Sequence, residues 1–269
     1  MNKKIWIIAV SVVVAGGALV FLSGKKICKT VSSSESSSTR SLSEQARNLE
    51  SKGDLWGAKL LYQKLVADFP ESPEIMDWQK KNEEINIKLL FSPAITPKSI
   101  TYEIRPGDTL NKIARRYKTT VELIMKSNNI SDSLIIPGRK IKVWNSPFSV
   151  LVDKSQNILM LKSDEEIVKT YIVSTGKNNC TPAGTFKVVN KLANPTWFKA
   201  GAVVPPESQE NVLGTRWMGF DLAGYGIHGT TEPQDLGKQV TQGCVRLKNS
   251  DVEELYDIIP AGTEVTIIE

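Results

Sequence analysis

Residues 227–247 read IHGTTEPQDLGKQVTQGCVRL and place the chain's one histidine, His228, sixteen positions before Cys244, one of its three cysteines. Each stands beside a glycine, Gly229 and Gly243. A thiolate is the reactive form of cysteine, and a neighbouring imidazole can accept the thiol proton. Glycine at both places lets the backbone approach a substrate closely or take conformations barred to other residues. Backbone N–H groups around Gly243 and Cys244 are then available to stabilise an oxyanion. Spacing alone leaves a second reading open, in which Cys244 is a small buried apolar side chain and His228 a structural one.

Outward from this stretch, residues 148–269 carry a strand pattern. Phe148–Asp153, Ile158–Lys162, Ile167–Ser174, Gly184–Asn190, Met218–Asp221 and Glu264–Ile268 are rich in alternating or β-branched apolar residues. One helix follows Asn249, where Ser250 and Glu253 have capping-box spacing. Val252, Leu255, Tyr256 and Ile259 form its buried stripe. The expectation is a mainly β, sandwich-like unit with a small helical supplement.

Residues 101–144 form a different, shorter pattern. Tyr102 to Arg105 read as a strand, and Leu110, Ile113 and Ala114 share one helical face. Thr119 and Glu122 are spaced to cap a second helix, whose Leu123 and Ile124 should face the same core. Pro137-Gly138 turns the chain into a closing strand, Lys140 to Trp144. The order is strand, helix, helix, strand.

Upstream, Lys3 and Lys4 precede an uncharged run from Ile5 to Ser23, followed by Lys25, Lys26 and Lys29. About 20 apolar residues of helix cross a bilayer, so residues 1–24 read as an uncleaved, single-pass membrane anchor. Residues 25–41 are Ser-rich and are expected to form a flexible linker. Residues 42–92 carry helical periodicity resembling one tetratricopeptide-like hairpin, with Gly53-Asp54 in the turn and a third helix over 73–90. That segment is expected to act as a spacer, or to dock a protein partner.

Composition narrows the function classes. The net charge of +5 is unevenly spread: residues 101–147 hold nine Lys and Arg against four acids, and residues 148–269 hold eleven against fifteen. Basic charge is not gathered on a reading domain with recognition aromatics, so no nucleic-acid partner is expected. Neither C-x-x-C nor H-x-x-E-H spacing occurs, so no metal or cofactor is expected.

Residues 101–144 resemble a LysM domain through the Gly-Asp-Thr-Leu opening, the Asn-Asn-Ile segment and the Pro-Gly-x-x-Ile-x-Val ending. The resemblance implies binding of N-acetylglucosamine-containing glycan over residues 100–145. It would engage Gly107, Asp108, Thr109 and the neighbourhood of Asn129, Ile130 and Ser131. Asp108 and Thr109 equally suit a helix start, and Ile130 a core position.

Residues 148–269 resemble the L,D-transpeptidase (YkuD-like) catalytic domain, whose signature runs I-H-G-T and then S-x-G-C-V-R. Ser174-Thr-Gly-Lys177, Thr181-Pro-Ala-Gly-Thr-Phe186 and Leu213-Gly-Thr-Arg-Trp-Met-Gly219 add to the match. Thr241 stands at the usual serine, and Gln242 where many members have a second histidine. The resemblance implies a thioester on Cys244, His228 as base, and the Gly229 carbonyl fixing its tautomer. It also implies 3→3 cross-linking of peptidoglycan stem peptides, or carboxypeptidase activity with water as acceptor. Gly243 belongs to the cysteine loop. Arg246 would order that loop, bind a substrate carboxylate or form a structural ion pair. Thr241, Tyr225 and Trp217 are candidate substrate contacts, with core packing the other reading of Trp217. Cys180 is either a free surface thiol or a disulfide partner of Cys244. A non-catalytic wall-binding protein is the rival class, and retention of Cys244, His228 and both glycines argues against it. The expected setting is the cytoplasmic membrane, with the domains in the periplasm or extracellular wall.

Overall fold

Apolar residues at helical spacing give α1 (Ser33–Ser51), α2 (Leu55–Asp68) and α3 (Ile75–Leu90) in the computed structural model, which describes residues 33–199 and 201–269. The expected membrane anchor lies outside the described residues. Among those described, no helix is long and apolar enough to cross a membrane. The Ser-rich linker expectation needs correction from Ser33 on, where the chain is already helical. Serine costs a helix little, and α1 is nucleated further along by Ala46 and Leu49 packing with Tyr62 and Leu65 of α2. Gly53, at φ +82°, makes the turn, and the Asp54 carboxylate caps α2 through the Gly57 N–H.

The next unit comprises β1 (Ser99–Glu103), α4 (Leu110–Arg116), α5 (Val121–Ser127) and β2 (Lys140–Trp144), with β1 and β2 antiparallel. Thr109 caps α4. The cap of α5 is Thr120, whose hydroxyl accepts from the Leu123 N–H, and not the expected Thr119. A second correction concerns Leu123. Ile124 faces this unit's own core, but Leu123 turns the other way, into the large core of the C-terminal unit.

That C-terminal unit runs β3 (Phe148–Asp153), β4 (Ile158–Ser163), β5 (Glu166–Ile172), β6 (Thr175–Gly176), β7 (Gly184–Ala193), β8 (Trp197–Lys199) and β9 (Ala202–Val204). It continues with β10 (Arg216–Phe220), β11 (Gly226–His228), β12 (Gln239–Thr241), β13 (Val245–Arg246), α6 (Asn249–Ile258) and β14 (Glu264–Ile268). The expectation of a sandwich gives way to one eight-stranded sheet, ordered β13-β11-β10-β7-β14-β3-β4-β5. The reason lies in β7. Residues 184–187 pair with β14 and residues 188–193 with β10, so one long strand joins what would otherwise be two sheets. A register shift at Gly219/Phe220 bends the sheet at this junction. Helix α6 fills the concavity with Val252, Leu255 and Ile258. Its expected capping box does not form, because the N-cap is Lys248, two residues before Ser250, and the helix already begins at Asn249.

The three units are packed together. Strand β5 ends the sheet, and an uncovered edge would expose unpaired carbonyls. Helix α3 covers it: Asn86 Nδ2 donates to the Val168 carbonyl at 3.1 Å, and Lys59 of α2 meets Glu166 at 2.5 Å. The Lys142 ammonium of β2, buried, donates to the Leu89 and Ser92 carbonyls at the end of α3. Thr120 and Lys126 of α5 donate to the backbone and carboxylate of Asp257 on α6.

Leu123 is 1% exposed and belongs to a core that its own module does not own. Leu123→Ala should therefore cost about 2–5 kcal/mol and lower the melting of residues 101–144 and 148–269 in one shared transition. Two transitions in calorimetry, with only the earlier one moved, would mean that the modules fold independently.

Candidate active site

Strand β11 carries His228 in its pairing with two neighbours. Trp217 of β10 lies opposite His228 in the antiparallel pair, and β13 runs parallel on the other side, with Ile227 beside Val245 and His228 beside Arg246. Side chains alternate along a strand. Ile227 and Val245 point into the core, so His228, Arg246 and Cys244 emerge on the opposite face. Sixteen residues apart in sequence, His228 and Cys244 come to one face of adjacent strands, with Cys244 two residues before the Arg246 that pairs with His228.

The imidazole is 4% exposed. Its Nδ1 lies 2.7 Å from the Gly229 carbonyl oxygen. A carbonyl only accepts, so Nδ1 carries the proton and Nε2 keeps the free lone pair. The Trp217 ring stacks on the imidazole with centroids 5.9 Å apart, and its Nε1 donates to Asn190. Trp217 is thus half-buried against His228 and not part of the core. Burial pushes the His228 pKa down to about 4. The Gly229 carbonyl pulls upward, the Arg246 guanidinium pushes down, and the Leu213 carbonyl pulls upward.

Cys244 is partly buried and its thiol donates to the Gly224 carbonyl at 3.5 Å. Burial raises its pKa, against the Gly226 backbone and Arg246, while the Cys180 thiol adds to the rise. At neutral pH both the thiol and the imidazole therefore rest uncharged.

The loop before Cys244 is set by Thr241 and Tyr225. The Thr241 hydroxyl donates to the Cys244 carbonyl at 2.7 Å and accepts from the Gly243 N–H at 3.2 Å. Thr241, expected as a substrate contact, is buried and closes its own loop instead. The same bond occupies one of the two N–H groups expected to face an oxyanion; the other, on Cys244, remains. Gly243 sits at φ +123°, and a Cβ there would meet the Tyr225 ring at 2.6 Å. Tyr225 thus braces the loop from one side. Arg246 Nη1 meets Glu232 at 2.8 Å, an ion pair within the site. Cys180 is an exposed free thiol, with Sγ 3.9 Å from the Thr241 carbonyl; no disulfide joins it to Cys244.

In the smaller module, Gly107 lies in an exposed turn at φ +82° and Asn129 is exposed at φ +52°. Ser131 is exposed as well, and the remaining three expected glycan contacts have structural work. The Asp108 carboxylate accepts from the Tyr102 hydroxyl and the Arg105 N–H, Thr109 caps α4, and Ile130 packs on the module's core.

Two residues near the site were given no role from the sequence. Ser174 is fully buried and exchanges backbone hydrogen bonds with Arg246, which fixes β13 from its far side. Asn249, read only as the flank of a helix, turns its carboxamide back toward the histidine strand. Glycines at 214 and 229 were the one available hint of a close approach there. Among the described residues no cluster of His, Cys, Asp and Glu could hold a metal ion.

Residues 147–267 match the L,D-transpeptidase catalytic domain family (YkuD), and residues 102–144 match the LysM domain family. A Bacillus subtilis protein named L,D-transpeptidase YkuD is 32% identical over 176 residues, which cover 62% of this chain and 98% of that one. Its Bacillus licheniformis counterpart is 33% identical over 177 residues, with the same coverage of both chains. YqjB of Bacillus subtilis, also named an L,D-transpeptidase, is 40% identical over 126 residues, 45% of this chain and 70% of that one.

The depressed His228 pKa has a consequence for stability. Between the ordinary value of 6.5 and about 4, the unfolded chain takes up a proton that the folded site refuses. Stability should fall through that window as pH is lowered, by on the order of 3 kcal/mol, and level off below it. Denaturant titrations of wild type and His228→Gln across pH 7 to 4 measure this, and the variant should lack that share of the slope. Parallel slopes would remove the buried neutral imidazole from the account.

Proposed function

Because the chain belongs to the L,D-transpeptidase family, we propose that it acts on peptidoglycan through a thioester on Cys244, with His228 as the proton acceptor. The observation that carries this reading is the shared face of β11 and β13, with Nδ1 of His228 held by the Gly229 carbonyl and Nε2 left basic. The thiol proton passes to His228 as sulfur attacks the carbonyl of the third residue of a tetrapeptide stem. The carbon–nitrogen bond breaks, and the terminal D-alanine leaves with that proton on its amine. An amine from a neighbouring stem then attacks the thioester, frees the thiol and leaves a 3→3 cross-link. With water as acceptor, the same acyl-enzyme gives a shortened stem.

The uncharged resting state shapes the first step. Proton transfer accompanies attack in place of a preformed thiolate–imidazolium pair, so the base works during the chemistry. Arg246, held by Glu232, disfavours the charged ring but favours the thiolate, so it is suited to stabilise the negative charge that develops on sulfur. The Cys244 N–H is the donor suited to the oxyanion.

The LysM module supplies glycan attachment through the exposed Gly107 and Asn129 turns, and residues 5–23 supply a membrane tether, with the domains outside the cytoplasm. Asn129→Gly removes a side chain but keeps the left-handed backbone. It should weaken co-sedimentation with sacculi while turnover of small soluble stems is unchanged. Equal sedimentation would take Asn129 out of the glycan site.

The catalytic assignment is tested by intact-protein mass spectrometry with a carbapenem, whose strained carbonyl should acylate the thiol. Wild type should gain one adduct, Cys244→Ala none, and His228→Gln should form it far more slowly. D-alanine release should vanish in Cys244→Ala. An adduct on Cys180, or turnover by the alanine variant, would show that Cys244 is not the nucleophile.

A further inference from the structure

The Gly229–Thr230 peptide is used from both sides. Its carbonyl accepts from Nδ1 of His228 at 2.7 Å, and its N–H donates to Oδ1 of Asn249 at 3.0 Å. The same Asn249 oxygen accepts a second bond, at 3.3 Å, from the Thr215 N–H. Thr215 lies two residues after Leu213, the other carbonyl acting on the imidazole. Space for this oxygen exists because two residues lack side chains. A Cβ on either Gly214 or Gly229 would stand 2.2 Å from Asn249 Oδ1. Gly214 also holds φ +63°, a conformation that suits glycine.

We propose that Asn249 is a positioning residue for the catalytic base: its carboxamide oxygen locks the Gly229–Thr230 peptide plane, and that plane fixes the tautomer and orientation of His228. This rests on the role of His228 given above, and Asn249 touches neither substrate nor thiol. The mechanism is direct. A peptide rotated away from Asn249 would carry its carbonyl away from Nδ1, and Nδ1–H would then lose the acceptor that defines the tautomer. Hydrogen bonds in series polarise one another, so an acceptor on the N–H strengthens the carbonyl as an acceptor for the imidazole. Asn249 stands in the first turn of α6, so the helix packed beneath the sheet holds the ring in place. The Arg246–Glu232 pair is the charged neighbour facing the ring from β13, and substitution at 249 leaves it intact.

The chain's single histidine makes the test unambiguous. Nitrogen-15 spectra of the full-length protein labelled at histidine should show the Nδ1-protonated neutral ring at neutral pH in wild type. Asn249→Ala should give a mixture of tautomers and lower the acylation rate by about tenfold or more, with KM little changed. Asn249→Asp keeps an acceptor oxygen and should restore the wild-type tautomer and most of the rate. Where Asn249→Ala fails to fold, Gly229→Ala takes its place, because its Cβ displaces the Asn249 oxygen while leaving that residue present. A folded Asn249→Ala or Gly229→Ala with the wild-type nitrogen pattern and rate would overturn the proposal. So would Asn249→Asp behaving like Asn249→Ala, since the oxygen would then not be the group that matters. D-alanine release by Cys244→Ala tests the underlying mechanism separately, and the nitrogen spectra stand whichever way that result falls.

Discussion

Two residues of β11 pair in parallel with two of β13, and this short ladder brings His228 and Cys244 to one face of the sheet. A parallel pair cannot be closed by a tight turn, so the chain must leave the sheet and return. Residues 229–243 make that excursion and return through β12, which pairs with β6 away from the main sheet. The rest of the C-terminal unit can be understood as support for the ladder. Trp217 on β10 backs the histidine, Ser174 clamps Arg246, and Ile227 and Val245 anchor both strands in the core. Without such anchoring a two-residue pairing would not persist, because it makes too few hydrogen bonds to offset the chain ordering it requires.

Burial of the imidazole works both against and for the base role proposed for it. A ring closed off from water is hard to protonate, and that weakens it as a base in the resting enzyme. The same exclusion of water strengthens each dipole that meets the charge once the proton has moved. Two carbonyls, of Gly229 and Leu213, favour the charged ring, and Arg246 opposes it. In the proposed mechanism the site thus holds the base neutral at rest and supplies partners for the charge that would appear only during reaction. Cysteine nucleophiles exposed near cations rest as thiolates; here burial favours the protonated thiol at rest.

Much of this was legible in the sequence, and the failures share a cause. Phe148–Asp153 and Glu264–Ile268 were read to their observed ends, because alternation is strong where one face is buried. The histidine and cysteine were legible because each carries unusual chemistry and a glycine neighbour. Strands β11 and β13 were not, since two or three residues have no period to detect. A sandwich was expected because β7 reads as an ordinary strand, and nothing local says that its halves pair with different neighbours. Leu123 and Ile124 are adjacent apolar residues, and sequence cannot say that they serve two different cores. Asn249 looked like a helix flank because its partners lie 19 and 34 positions away. In each case the missing information was a tertiary contact, and local pattern does not encode it.

Helix α6 joins the two active modules mechanically. At its start Asn249 holds the peptide that orients His228, and near its end Asp257 receives Thr120 and Lys126 from the LysM module. Its middle is fixed by Val252 and Leu255 in the core shared with Leu123. A helix of ten residues is stiff over its own length, so these contacts form one body. If the LysM module holds a glycan strand as proposed, Cys244 and His228 already have a set position relative to it, and no flexible segment between the modules needs to be ordered. In the proposed reaction this rigid pairing would restrict which stems reach Cys244, and it would remove an ordering cost that two freely linked modules incur at every binding event.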